Sequence, residues 1–364
     1  MNIKKYFKII VWVLVAVGIG YGLYSFFKPK TASVTQPTID NTQQIIDNEQ
    51  IPINDSLVRV LTTEPIAYYW ANAVNSSIYY LTKEGQVRKI GDITSPAPET
   101  VNSQTLNRLN SVAASYDGTY VVAGFNYPRL TTFSIFNTAT NNWQPLPAGT
   151  VAAAWAPDKN ELAYVGNGSL ALLNMATQKS QTVTPLNQRD IVLHWPKSRT
   201  VFFVQRPTID LAATLWSIDL GSKKITPVIQ NEEGLMVQWY PHADIGVKLA
   251  TVKRFPVTSF IHTDGSFLGN LQFVTLPSKC FVDAESAYCA VPESMTSGIK
   301  LPDDYLKQSV FFKDILYRIN LGGGATTLLT ANELLFDAID ISKYNNLLLF
   351  KNRYDDQLYS LNLQ

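Results

Sequence analysis

The sequence predicts an all-β domain built from repeated units and preceded by one transmembrane helix. Three observations carry this prediction. Short β-rich runs recur after residue 57, with no long amphipathic helix between them. Two motifs repeat through the same region at intervals of about 40–45 residues, apart from a longer last interval. An uncharged apolar segment stands close to the N-terminus.

The composition favours a well-packed core and gives no sign of a nucleic-acid partner. Hydrophobic residues make up 46% of the chain and aromatic residues 12%, which argues against disorder. Residues 1–30 carry lysines and no acid, whereas residues 31–56 carry acids and no base. From residue 57 onward acids and bases balance, so this part has no long-range field to attract nucleic acid.

Residues 9–27 (IIVWVLVAVGIGYGLYSFF) form the predicted membrane anchor. At 1.5 Å per residue such a helix just crosses a hydrocarbon core of ~30 Å. Trp12, Tyr21 and Tyr24 suit interfacial ends. The alternative, a cleaved signal peptide, has a shorter apolar region and a small-x-small cleavage site. We therefore expect an uncleaved signal anchor in the cytoplasmic membrane, with residues 1–8 as a short cytoplasmic end.

The charges that flank the anchor predict its orientation. More lysines precede the helix than follow it, which weakly favours a cytoplasmic N-terminus and an extracytoplasmic C-terminal part. Residues 28–56 are rich in Thr, Gln, Asn and Asp and predict a flexible tether. Residues 57–364 form the predicted β domain.

The first repeated motif is a strand that ends in Asn or Asp. An Asx residue at this place starts a tight turn by accepting hydrogen bonds from the backbone that follows. The copies are FSIFN (133–137), LALLN (170–174), LWSID (215–219), LYRIN (316–320) and LYSLN (358–362).

The second motif precedes each copy of the first: a small-residue or aromatic strand, a turn and a strongly apolar strand. A unit of four strands in about 40–45 residues is a β-propeller blade, and radially packed blades must close into a ring. We predict seven blades, with six or eight as alternatives. The copies begin at IAYYWAN (66–72), SVAAS (111–115), VAAAWAPD (151–158), IVLHWPK (191–197), LMVQWYPH (235–242), KCFVDAE (279–285) and DAIDISK (337–343).

The turn in WAPD (155–158) and the L-[WY]-x-[IL]-[DN] strand resemble the repeats of TolB-type propellers. They are also similar to the propeller domains of prolyl oligopeptidase relatives. The resemblance covers residues 60–364 and implies a propeller fold rather than a particular activity. The Pro-Asp-Gly turn of the family is only partly present, as YDG (116–118) and PDK (157–159).

The last repeat supplies three strands, AIDI, NLLLFK and QLYSLN, and lacks a fourth. The segment LVRVLT (57–62) is a spare strand with no repeat of its own. We predict that it completes the last sheet, because this pairing joins the two ends of the ring and removes an exposed sheet edge.

Cys280 and Cys289 flank a predicted hairpin centred on Ala284 and Glu285. Such a hairpin brings the two cysteines directly opposite each other, the arrangement that a cross-strand disulfide needs. Export of the domain favours the disulfide. The alternative is a pair of buried free thiols.

The loops between the second and third strands of each repeat emerge on one face of a propeller, which we call the loop face. Arginine and aromatic side chains recur there and could grip a carboxylate, a glycan or an acidic peptide. The alternative is that these arginines pair with neighbouring acids and only solubilise the face. The candidates are Tyr127, Arg129, Arg206, Arg254, Phe255, Arg353 and Tyr354. The corresponding loop of the sixth repeat is an insertion, residues 292–312, in which Pro302 and Asp303 predict the start of a short helix.

The sequence gives little support for catalysis, and we predict no catalytic residues, no metal site and no cofactor. It lacks a G-x-S-x-G elbow and a zinc-ligand spacing. We expect structural roles for His194 and His242 and a solvent-exposed position for His262. A glycan or peptide hydrolase or lyase at the channel remains the alternative, with Asp340 and Asp283 as its only candidate carboxylates.

These features together predict a non-enzymatic binding scaffold of the cell envelope. The membrane is its first partner, through the N-terminal helix, and an envelope protein or a cell-wall polymer is its second.

Overall fold

The computed structural model describes residues 58–128, 131–330 and 335–363. The predicted anchor 9–27, the tether 28–56 and Arg129 lie outside the described residues. Within the described ranges no helix is both long and apolar enough to cross a membrane. The described chain is mostly β, as the sequence predicts.

The described residues contain short helices and many strands. Helix α1 spans Asp303–Leu306, and 3-10 helices span Pro241–Ala243 and Pro277–Lys279. The strands are β1 (Val58–Val60), β2 (Ile66–Asn72), β3 (Ser77–Thr82), β4 (Val87–Ile90), β5 (Glu99–Asn102), β6 (Ser111–Ala114), β7 (Tyr120–Phe125), β8 (Thr132–Asn137), β9 (Asn142–Pro145), β10 (Thr150–Trp155), β11 (Glu161–Gly166), β12 (Ser169–Asn174), β13 (Lys179–Pro185), β14 (Ile191–Lys197), β15 (Thr200–Gln205), β16 (Ala212–Asp219), β17 (Ile225–Tyr240), β18 (Ile245–Val252), β19 (Phe255–His262), β20 (Phe267–Asn270), β21 (Cys280–Val282), β22 (Ser286–Pro292), β23 (Asp314–Asn320), β24 (Thr326–Leu328), β25 (Ala338–Tyr344), β26 (Leu347–Asn352) and β27 (Leu358–Asn362).

These strands form antiparallel sheets in which consecutive strands are neighbours. The four-stranded sheets have the orders β2-β3-β4-β5, β6-β7-β8-β9, β10-β11-β12-β13, β21-β22-β23-β24 and β1-β27-β26-β25. A longer sheet runs β14-β15-β16-β17-β18-β19-β20. Its middle strand β17 pairs with β16 through its first half and with β18 through its second half.

Strand β1 closes the last sheet, which confirms the predicted pairing of the two ends of the domain. Val58 lies opposite Leu361 and Val60 lies opposite Tyr359, at the far edge of the sheet from β25. Beyond this pairing, the Leu61 amide donates to the Leu358 carbonyl at 2.8 Å. The outer edge of β27 is therefore covered by a segment about 300 residues away in sequence.

The Asx turns that the first motif predicts are present. The side chain of Asp219 accepts hydrogen bonds from the Gly221 and Ser222 amides, and that of Asn320 accepts from the Gly322 and Gly323 amides. Asn137 and Asn174 start their turns in the same way. Each of these residues ends the third strand of its sheet, so the motif marks an equivalent position from sheet to sheet.

The hydrophobic core lies between successive sheets. Trp155, Trp195 and Trp239, which hold equivalent places in the second motif, are 7%, 4% and 6% exposed. Trp155 stacks on Tyr120 of the preceding sheet at 6.0 Å between ring centroids, and Trp195 packs with residues of β10 and β11. Trp239 of β17 stacks on Phe202 of β15, within the longer sheet, at 5.2 Å. Side chains of successive sheets are therefore buried against each other.

The two cysteines form a disulfide, as predicted. Cys280 on β21 lies directly opposite Cys289 on β22, and the Asp283 amide closes the intervening turn on the Ser286 carbonyl. Both cysteines are buried in the core between the sheet of β21 and the preceding strands.

The predicted insertion 292–312 folds back over the first strands of neighbouring sheets. It contains α1, which begins at Asp303 directly after Pro302, as the sequence indicates. Leu301, Tyr305 and Phe312 are buried against a cluster that includes Met236 of β17 and Ile339 of β25. The insertion is thus part of the folded core and covers one end of these inner strands.

Candidate functional site

A cavity of about 510 Å³ lies along the first strands of the sheets, and we call it the axial cavity. Its wall is formed by β2, β6, β10, β14, the second half of β17, the segment around Ser278 and β25. The polar side chains in this wall are those of Tyr68, Tyr69, Ser111, His194, Gln238, Tyr240, Ser278, Asp340, Ser342 and Lys343. Cavities of this size and position are common ligand sites.

Asp340 occupies an irregular position in β25. The register between β25 and β26 shifts between Ile339 and Ser342, which is the mark of a β-bulge. Asp340 has a φ of 54°, in the left-handed region that Asp and Asn tolerate better than most residues. The bulge places Asp340 in a cavity wall that is otherwise formed by regular strands.

Burial dominates the electrostatics of the axial cavity. It raises the pKa of Asp340, and it also raises the pKa values of Tyr68, Tyr69 and Tyr240, to which the charge of Asp340 contributes further. Burial lowers the pKa of His194 to about 4, so its imidazole is neutral at pH 7. The charge of Asp340 thus acts on tyrosines of both β2 and β17.

Two lysines near Asp340 make their hydrogen bonds and ion pairs with other groups. Lys343 Nζ lies 2.7 Å from the carboxylate of Asp283, in the β21–β22 turn. Lys351 Nζ donates to the Ala67 carbonyl at 3.2 Å and lies 3.6 Å from Asp356, which Lys83 also contacts at 2.9 Å. It acts on Asp340 only through its charge. Among the described residues, none donates a hydrogen bond to the Asp340 carboxylate. The cavity therefore holds one carboxylate without a bound cation.

A second group of buried charges lies beside the axial cavity, and we call it the ion cluster: Lys279, Asp314, Asp337 and Arg353, with the hydroxyl of Tyr305. Lys279 is fully buried and bonds Asp314 Oδ2 and Asp337 Oδ1. Arg353 donates to Asp337 Oδ2 at 2.9 Å, and the Tyr305 hydroxyl donates to Asp337 Oδ1 at 2.7 Å. Two cations thus face two carboxylates, and the cluster fastens the insertion to the inner strands.

The two acids of the ion cluster differ in how well they are satisfied. Both oxygens of Asp337 accept hydrogen bonds, including one from the Phe312 amide at 3.0 Å. Asp314 Oδ2 accepts from the Ala338 amide at 2.8 Å, but among the described residues Asp314 Oδ1 has no partner. Burial raises the pKa of Asp314 to about 6, against the opposing effect of Lys279.

On the loop face the structure brings together two of the candidate residues. The Arg206 guanidinium lies 5.2 Å from the centroid of the Tyr127 ring and is paired with Asp190 at 2.6 Å. Tyr127 is 40% exposed, so one side of this pair faces solvent. The arrangement combines an aromatic surface with a partly neutralised arginine.

The other candidates of the loop face take different positions. Arg254 and Phe255 are exposed in the tight turn between β18 and β19, where Arg254 has a φ of 72°. Arg353 points inward: its side chain is 7% exposed, and it stacks on Tyr305 at 3.8 Å within the ion cluster. Tyr354 remains exposed and contacts the Phe311 ring at 5.6 Å.

Sequence reasoning missed the ion cluster and most of the wall of the axial cavity. Lys279 and Asp337 each directly precede a buried strand, and a charged residue next to an apolar run is the signal that could have marked them. The sequence marks Asp340 as a candidate carboxylate of the channel, but it does not mark Tyr68, Tyr69 or Tyr240. Across the described ranges, no cluster of three or more His, Cys, Asp or Glu side chains is suited to hold a metal ion.

Comparisons with known proteins identify the fold. No family model matches the chain, and no curated protein matches it. An oligogalacturonate lyase solved in complex with manganese is 13% identical, with a TM-score of 0.58 over 84% of this chain and 93% of that chain. The oligogalacturonate lyase of Vibrio parahaemolyticus is 10% identical over the same shares, with a TM-score of 0.59. The WD40 repeats of RRP9 are 13% identical, with a TM-score of 0.51 over 86% of this chain and 99% of that chain.

At such identities the likeness shows the fold alone. The chain folds as a β-propeller, which confirms the structural part of the resemblance found in the sequence.

Proposed function

We propose that this chain is a seven-bladed β-propeller, tethered outside the cytoplasm by its N-terminal helix, that binds another cell-envelope protein through its loop face. In this role it is a scaffold and not an enzyme. The observation that carries the proposal is the concentration of exposed apolar side chains on that face.

Seven of the exposed large hydrophobic side chains lie in the connections between second and third strands or at the strand ends beside them. They are Tyr127, Leu211, Val252, Phe255, Leu306, Phe311 and Tyr354. On the opposite face the described turns and the strand ends beside them expose Val74, Tyr116, Ile225 and Phe267. Aliphatic side chains favour a protein partner over a polysaccharide, and contiguous exposed apolar surface marks interaction sites.

The partner segment that this face fits is apolar with acidic residues at its border. Val252 and Phe255 are 53% and 45% exposed, and Lys253 and Arg254 stand between them, exposed in the same turn. Arginine beside aromatic side chains is the commonest composition of a binding hot spot. The Tyr127–Arg206 pair adds a second contact of the same kind.

The number of blades follows from dividing the longer sheet at β17. Its first half is then the fourth strand of one blade, and its second half the first strand of the next. Seven hydrophobic clusters among the described residues each join two successive blades, and the last of them packs β2 and β3 on β26 and β27. Because these seven contacts between successive blades run from the first blade round to the last and back to the first, they support a count of seven blades.

The anchor and the extracytoplasmic location rest on the sequence, with support from the disulfide. Disulfides persist in oxidising compartments, and Cys280 is bonded to Cys289. The uncharged segment 9–27 and the tether 28–56 supply the anchor and its spacer.

The experiment compares cross-linking of the full chain and two matched variants in intact cells. The loop-face variant combines Arg254→Asn with Phe255→Ala, since Asn tolerates the left-handed φ of position 254. The control combines Arg199→Ala with Tyr116→Ala, an exposed arginine and tyrosine on the opposite face. We expect one set of cross-linked envelope proteins to fall at least about fivefold in the loop-face variant and to persist in the control. Equal yields from all three chains would contradict the proposal.

A glycan or peptide hydrolase or lyase acting in the axial cavity is the second candidate, favoured by Asp340 and its raised pKa. Glycosidases use two carboxylates that flank the reacting bond. The other candidate acid, Asp283, is bound to Lys343, and its pKa is lowered through its hydrogen bonds to Lys343 and to the backbone, against the effect of burial. This unequal pair supports binding more than catalysis.

A further inference from the structure

The axial cavity contains the Asp340 carboxylate, to which no described residue donates a hydrogen bond. The proposed scaffold role does not explain this group. Asp340 is turned into the cavity by a bulge and holds a backbone conformation that few residues adopt. Strained positions of this kind collect at ligand sites, because the surrounding structure must maintain them. The feature lies on the inner strands, away from the loop-face turn of Arg254 and Phe255.

The tyrosines around Asp340 do not neutralise it. The hydroxyl of Tyr69 donates to the backbone carbonyls of Leu349, at 2.7 Å, and of Asp340. The hydroxyl of Tyr240 is directed to the backbone carbonyls of Cys280 and Pro277. These contacts fix the rings in the wall and leave the carboxylate as an acceptor without a donor.

The other charged side chains near the cavity make their hydrogen bonds and ion pairs with other groups. Lys343 is paired with Asp283, and His194 is neutral. Lys351 donates to the Ala67 carbonyl and shares Asp356 with Lys83, and it acts on Asp340 only through its charge. The cavity wall therefore keeps one carboxylate to which no described residue donates a hydrogen bond, and it is lined by aromatic rings and by the amide of Gln238. A carboxylate in a poorly solvated site attracts a cation far more strongly than one in water does.

The geometry points to a binding site for a small organic ammonium compound, with its charged nitrogen at the Asp340 carboxylate and its carbon atoms against Tyr68, Tyr69 and Tyr240. Tyrosine faces attract such cations through their ring quadrupoles. Gln238, Ser342 and the neutral His194 can bond further polar groups of the ligand. An acidic sugar would meet a like charge here, so this site differs in kind from one that holds a uronate.

The test measures binding by calorimetry with matched pairs of compounds: choline and 3,3-dimethyl-1-butanol, 1,4-diaminobutane and 1,4-butanediol, and glucosamine and glucose. We expect at least one amine to bind with a stoichiometry of one, and its neutral analogue to bind at least about tenfold more weakly. Binding should also weaken as the pH falls through the pKa of Asp340, because a protonated carboxyl no longer attracts the cation.

The matched variants are Asp340→Asn and Asp210→Asn. Asn keeps the size of Asp and tolerates its left-handed conformation, so Asp340→Asn should retain the bulge. Asp210 is an exposed acid in the β15–β16 loop and serves as the control. We expect at least a tenfold loss of amine affinity in Asp340→Asn and none in Asp210→Asn. The inference is overturned if none of the three amines binds at millimolar concentration, if a neutral analogue binds as well as its amine, or if Asp340→Asn binds as the wild type does.

Discussion

The ion cluster and the neighbouring axial cavity differ in whether their acidic side chains are bonded to partners. In the ion cluster Lys279 and Arg353 face Asp314 and Asp337, and both oxygens of Asp337 are bonded. In the axial cavity Asp340 has no hydrogen-bond donor among the described residues. Lys343 is bonded to Asp283, and Lys351 acts on Asp340 only through its charge. A buried charge that is fully paired holds a structure together, whereas an unpaired one costs stability and is available to a ligand.

The insertion explains why the Arg353 side chain lies in the ion cluster and not on the loop face. Arg353 belongs to the turn between β26 and β27, but the insertion supplies the Val310 and Tyr305 carbonyls and the ring of Tyr305 as partners. Contacts with the insertion therefore place the Arg353 side chain in the buried ion cluster. Tyr354, the next residue, stays outside and contacts Phe311.

The largest effect is expected at Asp337. Asp337→Asn removes one charge from a fully buried and fully bonded group, and it leaves Lys279 and Arg353 with one acid between them. Removing one partner of such a buried pair costs about 3–5 kcal/mol of the free energy of unfolding, which urea denaturation measures. The control is Glu99→Gln, which breaks the exposed ion pair with Lys89 and should cost about 0–1 kcal/mol. Similar losses in the two variants would show that the cluster does not stabilise the fold.

Asp314 should give a smaller effect that depends on pH. Burial raises its pKa to about 6, so between about pH 4 and pH 6 the folded chain holds a proton that the unfolded chain has released. The contribution of Asp314 to stability therefore falls as the pH rises through this window. Asp314→Asn should remove a change on the order of 2 kcal/mol between these limits.

The measurement is urea denaturation of the wild type and of Asp314→Asn at several pH values between 4 and 7. The difference between the two chains should favour the wild type most at the acid end. A difference that does not change with pH would mean that Lys279 holds Asp314 ionised throughout, as in a fully paired site.

The repeat and the closure could be predicted because each depends on local pattern. The Asn and Asp residues that end the third strands, the Trp residues of the first strands and the spare strand at Val58 all act through nearby backbone or through alternation of side chains. The ion cluster could not be predicted, because Lys279 and Asp337 are 58 residues apart and meet only when neighbouring sheets pack. The direction of Asp340 depends on a bulge, and no short motif in this chain marks it.

The smallest effect, and the one of opposite sign, is expected at Asp340. Burial raises its pKa against the opposing charge of Lys351, so at pH 7 the folded state carries the cost of an ionised carboxylate that Asn would not have. Asp340→Asn should therefore stabilise the free protein by about 1 kcal/mol at pH 7, as substitutions that relieve a binding site commonly do. The gain should shrink as the pH falls through the pKa of Asp340, since the protonated acid is also neutral. Urea denaturation at pH 7 and at pH 4 measures both quantities. A loss of stability as large as that of Asp337→Asn would mean that Asp340 is satisfied by the fold, and the distinction between a paired and an unpaired interior acid would not hold.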